Sequence, residues 1–422
     1  MKHPVFTLCL VLSVFCFISA AGAQPGWNPQ TSGTSESLFS VHFVDADNGW
    51  AVGGNGAILH TSDGGSTWNP QTSMITGTIR SVSFVDANNG WAIGYGGSII
   101  HTSDGGGDWG YQDLSPAAWS YAIFFVDADN GWASGQPGTM LHTTDGGSNW
   151  DPQDSGTASE GILSLCFIDV NTGWAVGSDG FCAHTTNGGS NWDRQTTSAW
   201  GIFLNSAKFV DATNGWAVGS FGKIIHTSDG GSDWGDQTSG TTAALRSVSF
   251  SDAATGWAVG DNGTILYTSD GGSTWNPQNS GTTETLLSVN FINATTGWAV
   301  GINGTILHTN TGGITGVEEL AGSTVPESYA LHQNYPNPFN PATTIRVEIS
   351  TRGGLSQQVS LRIYNVAGQL VRTLFEDPLP AGVYELTWDG TDQIGKHVSS
   401  GIYLLQLRSG EFTKTMKMIL AK

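Results

Sequence analysis

Residues 40–71 read SVHFVDADNGWAVGGNGAILHTSDGGSTWNPQ, and this stretch decides the fold. It contains four short apolar or alternating runs, and each run ends in Gly, Asn or Asp, which favour tight turns. The stretch therefore predicts four short β-strands joined by hairpins. The composition agrees with an all-β fold, because the chain has 59 Gly and 17 Trp, and only 12% of its residues are charged.

The same pattern recurs along the chain. Its Gly-Trp dipeptide places Trp at positions 50, 91, 132, 174, 216, 257 and 298, which are 41 or 42 residues apart. Four strands per repeat of this length make one blade of a β-propeller. Seven copies predict a seven-bladed β-propeller over residues 24–316.

The two ends of the array predict how the ring closes. The seventh copy ends at residues 310–316 without the Trp and the Asn-Pro-Gln of its outer strand, whereas Trp27-Asn28-Pro29-Gln30 carry them at the N-terminus. We therefore expect residues 27–30 to form the outer strand of blade seven, which leaves no exposed edge there.

The first 23 residues predict a signal peptide. Lys2 precedes an apolar run, Val5 to Ile18, which is too short to span a bilayer with margin, and Ala21-Gly22-Ala23 is a small-residue cleavage site. We expect the protein to be exported and to be secreted or held at the cell surface.

Four cysteines occur in the sequence. Cys9 and Cys16 would leave with the signal peptide. Cys166 and Cys182 fall on the first and third strands of one blade, about 10 Å apart, which is too far for a disulfide. We expect two buried free thiols, although an exported protein meets oxidising conditions.

The net charge of −20 lies in the predicted blades. Residues 24–316 hold five Lys or Arg against 25 Asp or Glu, whereas residues 317–422 hold nine against ten. An acidic propeller argues against nucleic acid and anionic membranes as partners, because both require a basic surface.

The third turn of each repeat carries a second motif. Residues 61–68, Thr-Ser-Asp-Gly-Gly-Ser-Thr-Trp, resemble the Asp-box of bacterial neuraminidase repeats. We interpret its acidic position as structural, because a carboxylate can accept N–H bonds within the turn while Gly supplies positive φ. These positions are Asp63, Asp104, Asp145, Asn187, Asp229 and Asp270.

Over residues 26–316, the combination of Asn-Gly-Trp-Ala-Val-Gly and the Asp-box resembles the photosystem II stability and assembly factor family. The resemblance implies a β-propeller that binds a reaction-centre subunit precursor through an arginine-rich face. This chain has three Arg in its seven predicted blades.

Residues 317–329 predict a short linker, and residues 330–422 a separate β-domain. Period-two runs occur around Ile345, Leu361, Leu386, Leu405 and 413–420. About 90 residues with this spacing predict a small Ig-like sandwich.

This domain resembles the type A sorting domain of the type IX secretion system. The resemblance rests on Asn365-Val366-Ala367-Gly368, the basic tail with Lys414, Lys417 and Lys422, and the motif residues Tyr335, Pro336, Asn337, Pro338, Gly401 and Tyr403. It implies passage through the outer membrane, with the secretion machinery as a partner, and a domain that is typically removed. An ordinary Ig-like module that packs on the propeller is the alternative.

The repeat offers little for catalysis. A sialidase needs an arginine triad, a Tyr nucleophile and a Glu, and the arginines do not provide the triad. Six His at one repeat position would be spread around a ring, so we expect no metal site and no cofactor. The segment Asp45-Ala46-Asp47-Asn48-Gly49 resembles a calcium loop but lacks the distal Glu, so we interpret it as a turn.

Positions that vary between blades are the candidates for recognition. Loops between second and third strands and loops between blades share one face, which also holds the start of each inner strand. The candidates there are Phe39, Arg80, Tyr95, Trp119, Tyr121, Trp200, Phe221 and Arg246. Exposed aromatic rings suit sugar faces or protein hot spots. The alternative is that these rings fill gaps between blades.

The sequence thus favours a non-catalytic binding or scaffold protein, expected to be a monomer with a protein or glycan ligand. A carbohydrate-binding or glycoside-hydrolase-like propeller is one alternative. A chaperone of a membrane complex, like the assembly factors, is the other.

Overall fold

The computed structural model describes residues 26–112, 119–313, 317–319, 326–350, 356–392 and 396–421. The predicted signal peptide and its cleavage site lie outside these ranges. No helix in the described ranges is long and apolar enough to cross a membrane.

Seven four-stranded antiparallel sheets form the blades, so the predicted all-β, seven-bladed fold is confirmed. In chain order the blade strands are β1 Asn28–Gln30; β2 Leu38–Phe43, β3 Gly49–Gly53, β4 Ile58–Thr61, β5 Asn69–Gln71; β6 Ile79–Phe84, β7 Gly90–Gly94, β8 Ile99–Thr102, β9 Gly110–Gln112; β10 Trp119–Phe125, β11 Gly131–Gln136, β12 Met140–Thr143, β13 Asp151–Pro152; β14 Ile162–Phe167, β15 Gly173–Gly177, β16 Cys182–Thr185, β17 Asp193–Arg194; β18 Leu204–Phe209, β19 Gly215–Gly219, β20 Ile224–Thr227, β21 Gly235–Gln237; β22 Leu245–Phe250, β23 Gly256–Gly260, β24 Ile265–Thr268, β25 Asn276–Gln278; and β26 Leu286–Phe291, β27 Gly297–Gly301, β28 Ile306–Thr309. Five of the turns between second and third strands form single 3-10 turns, at Gly54–Gly56, Ser178–Gly180, Ser220–Gly222, Asp261–Gly263 and Ile302–Gly304.

The seventh blade contains strands from both ends of the array. Strand β1 pairs antiparallel with β28, with Asn28 opposite His308 and Gln30 opposite Ile306. Trp27, just before β1, is fully buried and meets Phe291 of the same blade edge-on at 5.6 Å. The outer edge of β28 is therefore covered by the N-terminal strand.

One aromatic sandwich holds each pair of neighbouring blades together. The Trp of the second strand stacks on the Phe that ends the next blade's first strand; Trp50 and Phe84, for example, have ring centroids 3.5 Å apart. The Gly that precedes each Trp is needed for close approach, because a Cβ at Gly49 would lie 2.3 Å from the Phe43 ring. The Gly-Trp dipeptide thus recurs for two reasons. Its glycine leaves room for the Phe ring of its own blade, and its indole stacks on the Phe of the next blade.

The C-terminal part is a sandwich of two four-stranded sheets. Its strands are β29 Val317–Glu319, β30 Ala330–Leu331, β31 Thr343–Ile349, β32 Ser356–Asn365, β33 Leu370–Pro380, β34 Gly382–Trp388, β35 Gly401–Ser409 and β36 Phe412–Leu420. The sheet orders are β29-β34-β31-β30 and β33-β32-β35-β36. Ile345, Leu361, Leu386 and Leu405 are all nearly inaccessible and belong to the core between the sheets.

The predicted linker at residues 317–329 needs a correction. Val317–Glu319 pairs with Tyr384–Leu386 as an edge strand, so the sandwich takes up residues before position 330. Three residues with one apolar side chain give too short a pattern to distinguish an edge strand from a linker.

Candidate functional site

The innermost strands of neighbouring blades contact one another around the axis of the propeller. Each of them begins with a β-bulge, at which one residue has no partner on the second strand. A bulge turns its side chain away from the ladder. The seven bulge residues, all partly exposed, are Phe39, Arg80, Tyr121, Leu163, Asn205, Arg246 and Leu287. We call this set the bulge ring.

The two arginines of the bulge ring differ in their partners. Arg246 binds Asp261 through two bonds, Nε to Oδ1 at 2.8 Å and Nη2 to Oδ2 at 3.0 Å. The Arg80 guanidinium lies over the Phe39 ring at 5.0 Å, and its buried Nε has no hydrogen-bond partner. Among the described residues Arg80 has no carboxylate partner, so its charge is available to a ligand.

Several aromatic side chains of this face are exposed. The exposed fraction is 84% for Trp200, 76% for Phe221 and 51% for Tyr95. These values argue against the alternative that these three rings fill gaps between blades. Phe203, which was not among the predicted candidates, directly precedes β18 and is 52% exposed. A comparison of the residues that precede each inner strand would have revealed it.

The candidate residues are spread over blades one to six rather than gathered at one point. Phe39, Arg80 and Tyr95 belong to blades one and two, and the Tyr95 N–H binds the Thr78 carbonyl just before β6. Trp200, Phe221 and Arg246 belong to blades four to six. The other two are in blade three: Trp119 is the first residue of β10, opposite Gln136, and the Tyr121 hydroxyl donates to Gln136 Oε1 at 2.9 Å. Blades one and two lie across the ring from blades five and six.

A cavity of about 630 Å³ opens between blades five and six. Its lining comes from two second-to-third-strand turns and from the loop between the blades. The lining residues are Ser220, Phe221, Thr241, Thr242, Ala243, Ala244, Asp261, Asn262 and Thr264. We call it the five–six pocket.

A second ring lies deeper along the inner strands, at His42, Ser83, Phe124, Cys166, Lys208, Ser249 and Asn290. Five of these side chains accept a bond from the N–H of the next blade's Phe; Asn290 Oδ1, for example, accepts from Phe43 at 2.9 Å. Neighbouring inner strands belong to different sheets, so these N–H groups have no ladder partner. This ring is therefore part of the scaffold.

His42 belongs to that inner ring. Burial, together with the charge of Lys208, lowers the pKa of His42 from 6.5 to about 4, against a smaller opposing effect of its bond with Val82. Part of the side chain is still accessible to solvent. At neutral pH His42 is uncharged, and its Nδ1 accepts the Phe84 N–H.

The Asp-boxes connect neighbouring blades. Asp63 Oδ1 accepts from the Thr67 N–H and the Thr61 hydroxyl, both at 2.8 Å, and these bonds shape the turn. The turn presents the Gly64 carbonyl to Trp298 Nε1 at 3.1 Å and Gln30 Nε2 at 3.0 Å. The same pair of bonds recurs at every blade junction.

The Asp-box face is opposite the bulge ring. In each blade the loop between first and second strands lies beside the Asp-box, as the Gly64 N–H bond to the Asp47 carbonyl shows. Asp45 in that loop accepts the N–H groups of Asp47 and Asn48, at 2.8 and 2.7 Å, so this carboxylate shapes a turn. The described residues contain no group of three or more side chains able to hold a metal ion.

Each repeat His stacks on the Trp of its own blade, as His60 does on Trp50 at 4.7 Å. Burial lowers the pKa of these His side chains, and that of His308 falls to about 4. They are distributed one per blade and do not converge.

Both cysteines of the blades are buried free thiols, as expected. Burial raises the pKa of the Cys182 thiol to about 12. Cys166 accepts the Phe209 N–H at 3.2 Å and so belongs to the inner ring.

In the C-terminal domain, the predicted motif residues lie at the end of the sandwich where β36 finishes. The Asn337 carboxamide accepts the Ile419 N–H at 2.9 Å, and Tyr335 is 81% exposed. Gly401 opens β35 opposite Leu420, and Tyr403 packs on Trp388 with its hydroxyl bound to the Ser399 carbonyl at 2.7 Å. The motif thus secures the final strand.

Comparison with solved structures shows the same fold in several proteins. The structure of YCF48 bound to D1 peptide has a TM-score of 0.59 at 24% identity, covering 68% of this chain and 97% of that one. YCF48 from Cyanidioschyzon merolae has a TM-score of 0.58 at 23% identity, covering 68% and 99%.

PorZ from Porphyromonas gingivalis, an essential bacterial surface component of the type-IX secretion system, has a TM-score of 0.60 at 14% identity. That match covers 93% of this chain, which spans 60% of the PorZ chain. At these identities the likeness concerns the fold alone. No curated protein sequence matches significantly.

Family models match both parts of the chain. The FlgD Ig-like domain matches residues 339–411. The photosynthesis system II assembly factor YCF48 model matches six overlapping segments, residues 20–118, 73–156, 111–199, 156–240, 200–277 and 236–318. Since these segments together cover more than half of the sequence, the chain belongs to the photosynthesis system II assembly factor YCF48 family.

Proposed function

We propose that this protein is an exported, non-catalytic propeller that binds a protein partner through the bulge-ring face and acts as a scaffold. The observation that carries the proposal is the group of Phe39, Arg80 and Tyr95. The Arg80 guanidinium, which no described carboxylate neutralises, lies over the Phe39 ring, and the exposed Tyr95 belongs to the same blade as Arg80. Aromatic side chains and Arg are the residues most enriched at protein-binding hot spots.

The relatives support a polypeptide ligand. One solved YCF48 holds a D1 peptide, and PorZ is a component of a secretion system. The surrounding acidic surface favours a partner that is basic outside the contact with Arg80, because opposite potentials speed association and suppress like-charged competitors.

The chemistry of the face supports a non-catalytic role. Asp261, the carboxylate beside the bulge ring in blade six, is held by Arg246 in a two-bond ion pair. Both oxygens of this carboxylate accept bonds from the Arg246 guanidinium, and such a two-bond pair fixes its position. We infer that this face binds without converting its ligand.

We propose further that residues 330–422 direct export through the type IX route, after a signal peptide at residues 1–23. The exposed Tyr335 and the Asn337 that secures the final strand support a surface for recognition by the secretion machinery. Deleting residues 330–422 should leave the propeller in the periplasm. Normal release of the deleted chain into the medium would contradict this assignment.

The binding role is tested by capturing the partner protein and measuring its affinity for this chain. The purified chain is cross-linked to envelope proteins of the native cell, the partner is identified by mass spectrometry, and its affinity is measured with pure components. Arg80→Gln combined with Tyr95→Ala should weaken binding about tenfold or more.

A matched control is Tyr111→Ala in the outer strand β9, where the ring is 55% exposed but lies away from the bulge ring. It should bind as the wild type does. Equal affinity of the Arg80/Tyr95 double variant would overturn the proposed face.

A further inference from the structure

Two positions of the five–six pocket favour a ligand: one breaks the pattern of the other turns of its type, and the other lacks a glutamate that three other blades carry. One is Phe221 in the turn between β19 and β20. The other is Ala243 in the loop between blades five and six.

Phe221 has a backbone conformation that disfavours its side chain. Its φ is 59° and its ψ is 29°, in the left-handed region. Four other blades form the same turn, and their residues at this position are Asn55, Asp179, Asn262 and Asn303. Asn and Asp tolerate this region, whereas a bulky residue there is an outlier.

The ring of Phe221 does not compensate for this cost by packing, because 76% of the residue is exposed. Strain of this kind persists at binding sites and active sites, where the side chain serves a purpose other than stability. Phe221 therefore forms an aromatic platform at the rim of the pocket.

Ala243 leaves space in the same pocket, on the side of the Asn262 turn. Three other blades place a glutamate at this position in the loop before the inner strand: Glu36, Glu160 and Glu284. In blade seven, Glu284 reaches the turn residue Asn303 at 3.0 Å, so it occupies the corresponding space. Alanine at position 243 removes both this side chain and its negative charge.

The remaining lining is polar and nearly neutral. Ser220, Thr241, Thr242 and Thr264 bring hydroxyl groups, and Asn262 brings an exposed carboxamide that forms no hydrogen bond with the described residues. Arg246 neutralises and fixes Asp261, whose oxygens keep lone pairs for further donors.

These groups fit a particular class of ligand. An aromatic face can stack on the C–H face of a sugar ring, while hydroxyl, amide and carboxylate groups bind its hydroxyls. The volume of about 630 Å³ is that of a small-molecule site and suits one or two sugar rings. A neutral ligand also avoids repulsion by the acidic propeller.

We propose that the five–six pocket binds a neutral saccharide, with Phe221 as the stacking platform and Asn262 and Asp261 as hydroxyl partners. The site lies across the ring from Arg80 and goes beyond the protein-binding role proposed above.

The test uses an array of neutral glycans, followed by calorimetry with the full chain and the best neutral oligosaccharide. Two variants restore residues that other blades already carry: Phe221→Asn and Ala243→Glu. Each should weaken saccharide binding about tenfold or more. Phe221→Asn should also melt at or above the wild-type temperature, because Asn relieves the backbone strain.

Asn303→Asp is the matched control, since it changes the same turn in blade seven and Asp occurs there in blade four. It should bind saccharide as the wild type does. The Arg80/Tyr95 double variant should also keep saccharide affinity, which separates this site from the protein-binding face.

Three results would overturn the proposal. The first is an array on which no neutral glycan binds. The second is a lower melting temperature of Phe221→Asn, which would make the ring structural. The third is Phe221-dependent binding of a lysine-rich peptide in place of saccharide.

Discussion

At the scale of single residues, the repeated polar side chains serve the fold, and the side chains that break the repeat are the candidates for function. Asp63 and its equivalents are occupied by bonds within their own turns. In contrast, Arg80 has no carboxylate partner among the described residues, and Phe221 is largely exposed. We therefore do not assign a ligand to the Asp-box, although it is the most frequent motif of the sequence.

The Asp-box interpretation predicts a contrast between two variants of blade six. Asp270 accepts from the Thr274 N–H at 2.9 Å and the Thr274 hydroxyl at 2.7 Å. Asp270→Ala should lower the free energy of unfolding by about 1–2 kcal/mol, because these donors lose their acceptor. Asp270→Asn should lose less, since Asn187 keeps the corresponding N–H bond in blade four, from Asn191 at 3.0 Å. Urea denaturation measures both, and equal losses would contradict the interpretation.

A pH prediction concerns His308. Its pKa is about 4 when folded and near 6.5 when unfolded, so the unfolded chain binds protons more readily. His308 therefore favours folding fully above pH 6.5, and this contribution is lost as the pH falls toward 4. Because solvent reaches part of the ring, we expect a loss of roughly 1–2 kcal/mol.

His308→Tyr isolates this effect, because blade six already has Tyr267 at the same position. The variant should show a smaller fall in unfolding free energy between pH 7 and pH 4 than the wild type. An unchanged difference between these two pH values would show that His308 does not contribute to acid sensitivity.

At the scale of elements, the blade strands could be predicted from short apolar runs that end in turn residues. This pattern occurs in each of the seven repeats. The β-bulges could not be predicted from this apolar pattern. A bulge adds one residue to a strand without changing its apolar alternation elsewhere, so only the pairing reveals it. The sequence located the variable positions at the start of the inner strands; the structure shows that bulges present them.

In the sandwich the prediction was less complete. Five of the strands have period-two runs, but β33 at Leu370–Pro380 was missed, and β29 was assigned to a linker. Strand β33 lies at the edge of its sheet and includes acidic residues and prolines, which weaken the pattern typical of a strand. Edge strands of this kind are specified by tertiary pairing more than by their own sequence.

The N-terminal strand gives a prediction at this scale. Trp27 is fully buried, and its Nε1 donates to Gln278 Oε1 at 2.9 Å across the blade junction. Trp27→Ala should lower the free energy of unfolding by about 3–5 kcal/mol, as for other buried large side chains. Trp200→Ala should change it by less than about 0.5 kcal/mol, because that ring is largely exposed. Similar losses in both variants would contradict the closure of blade seven by β1.

At the scale of the whole molecule, the two faces of the ring differ in composition. One carries the Asp-boxes and is built from bonds that recur at every junction. The other carries the bulge ring, the exposed aromatic side chains and the five–six pocket, and here neighbouring blades differ. Such a division gives a stable scaffold on which single positions can be changed for binding without loss of the fold.

The acidic net charge is a property of the whole propeller. Since residues 24–316 hold 25 acidic side chains and five basic ones, their potential acts on any approaching partner. This potential favours basic or neutral partners but does not identify one, and neither does the fold, because propellers carry many unrelated functions. The identity of the ligand therefore depends on a few side chains and could not be predicted from the pattern that determines the fold.

We propose that the partner binds to the bulge-ring face and not to the Asp-box face. The most direct measurement is photo-cross-linking in the native cell envelope, with a photoreactive residue at Tyr95 in one chain and at Thr67 of the Asp-box in another. Both positions are exposed. We predict a specific protein adduct from position 95 and none from position 67. An adduct from position 67 alone, or the same adduct from both positions, would contradict the account.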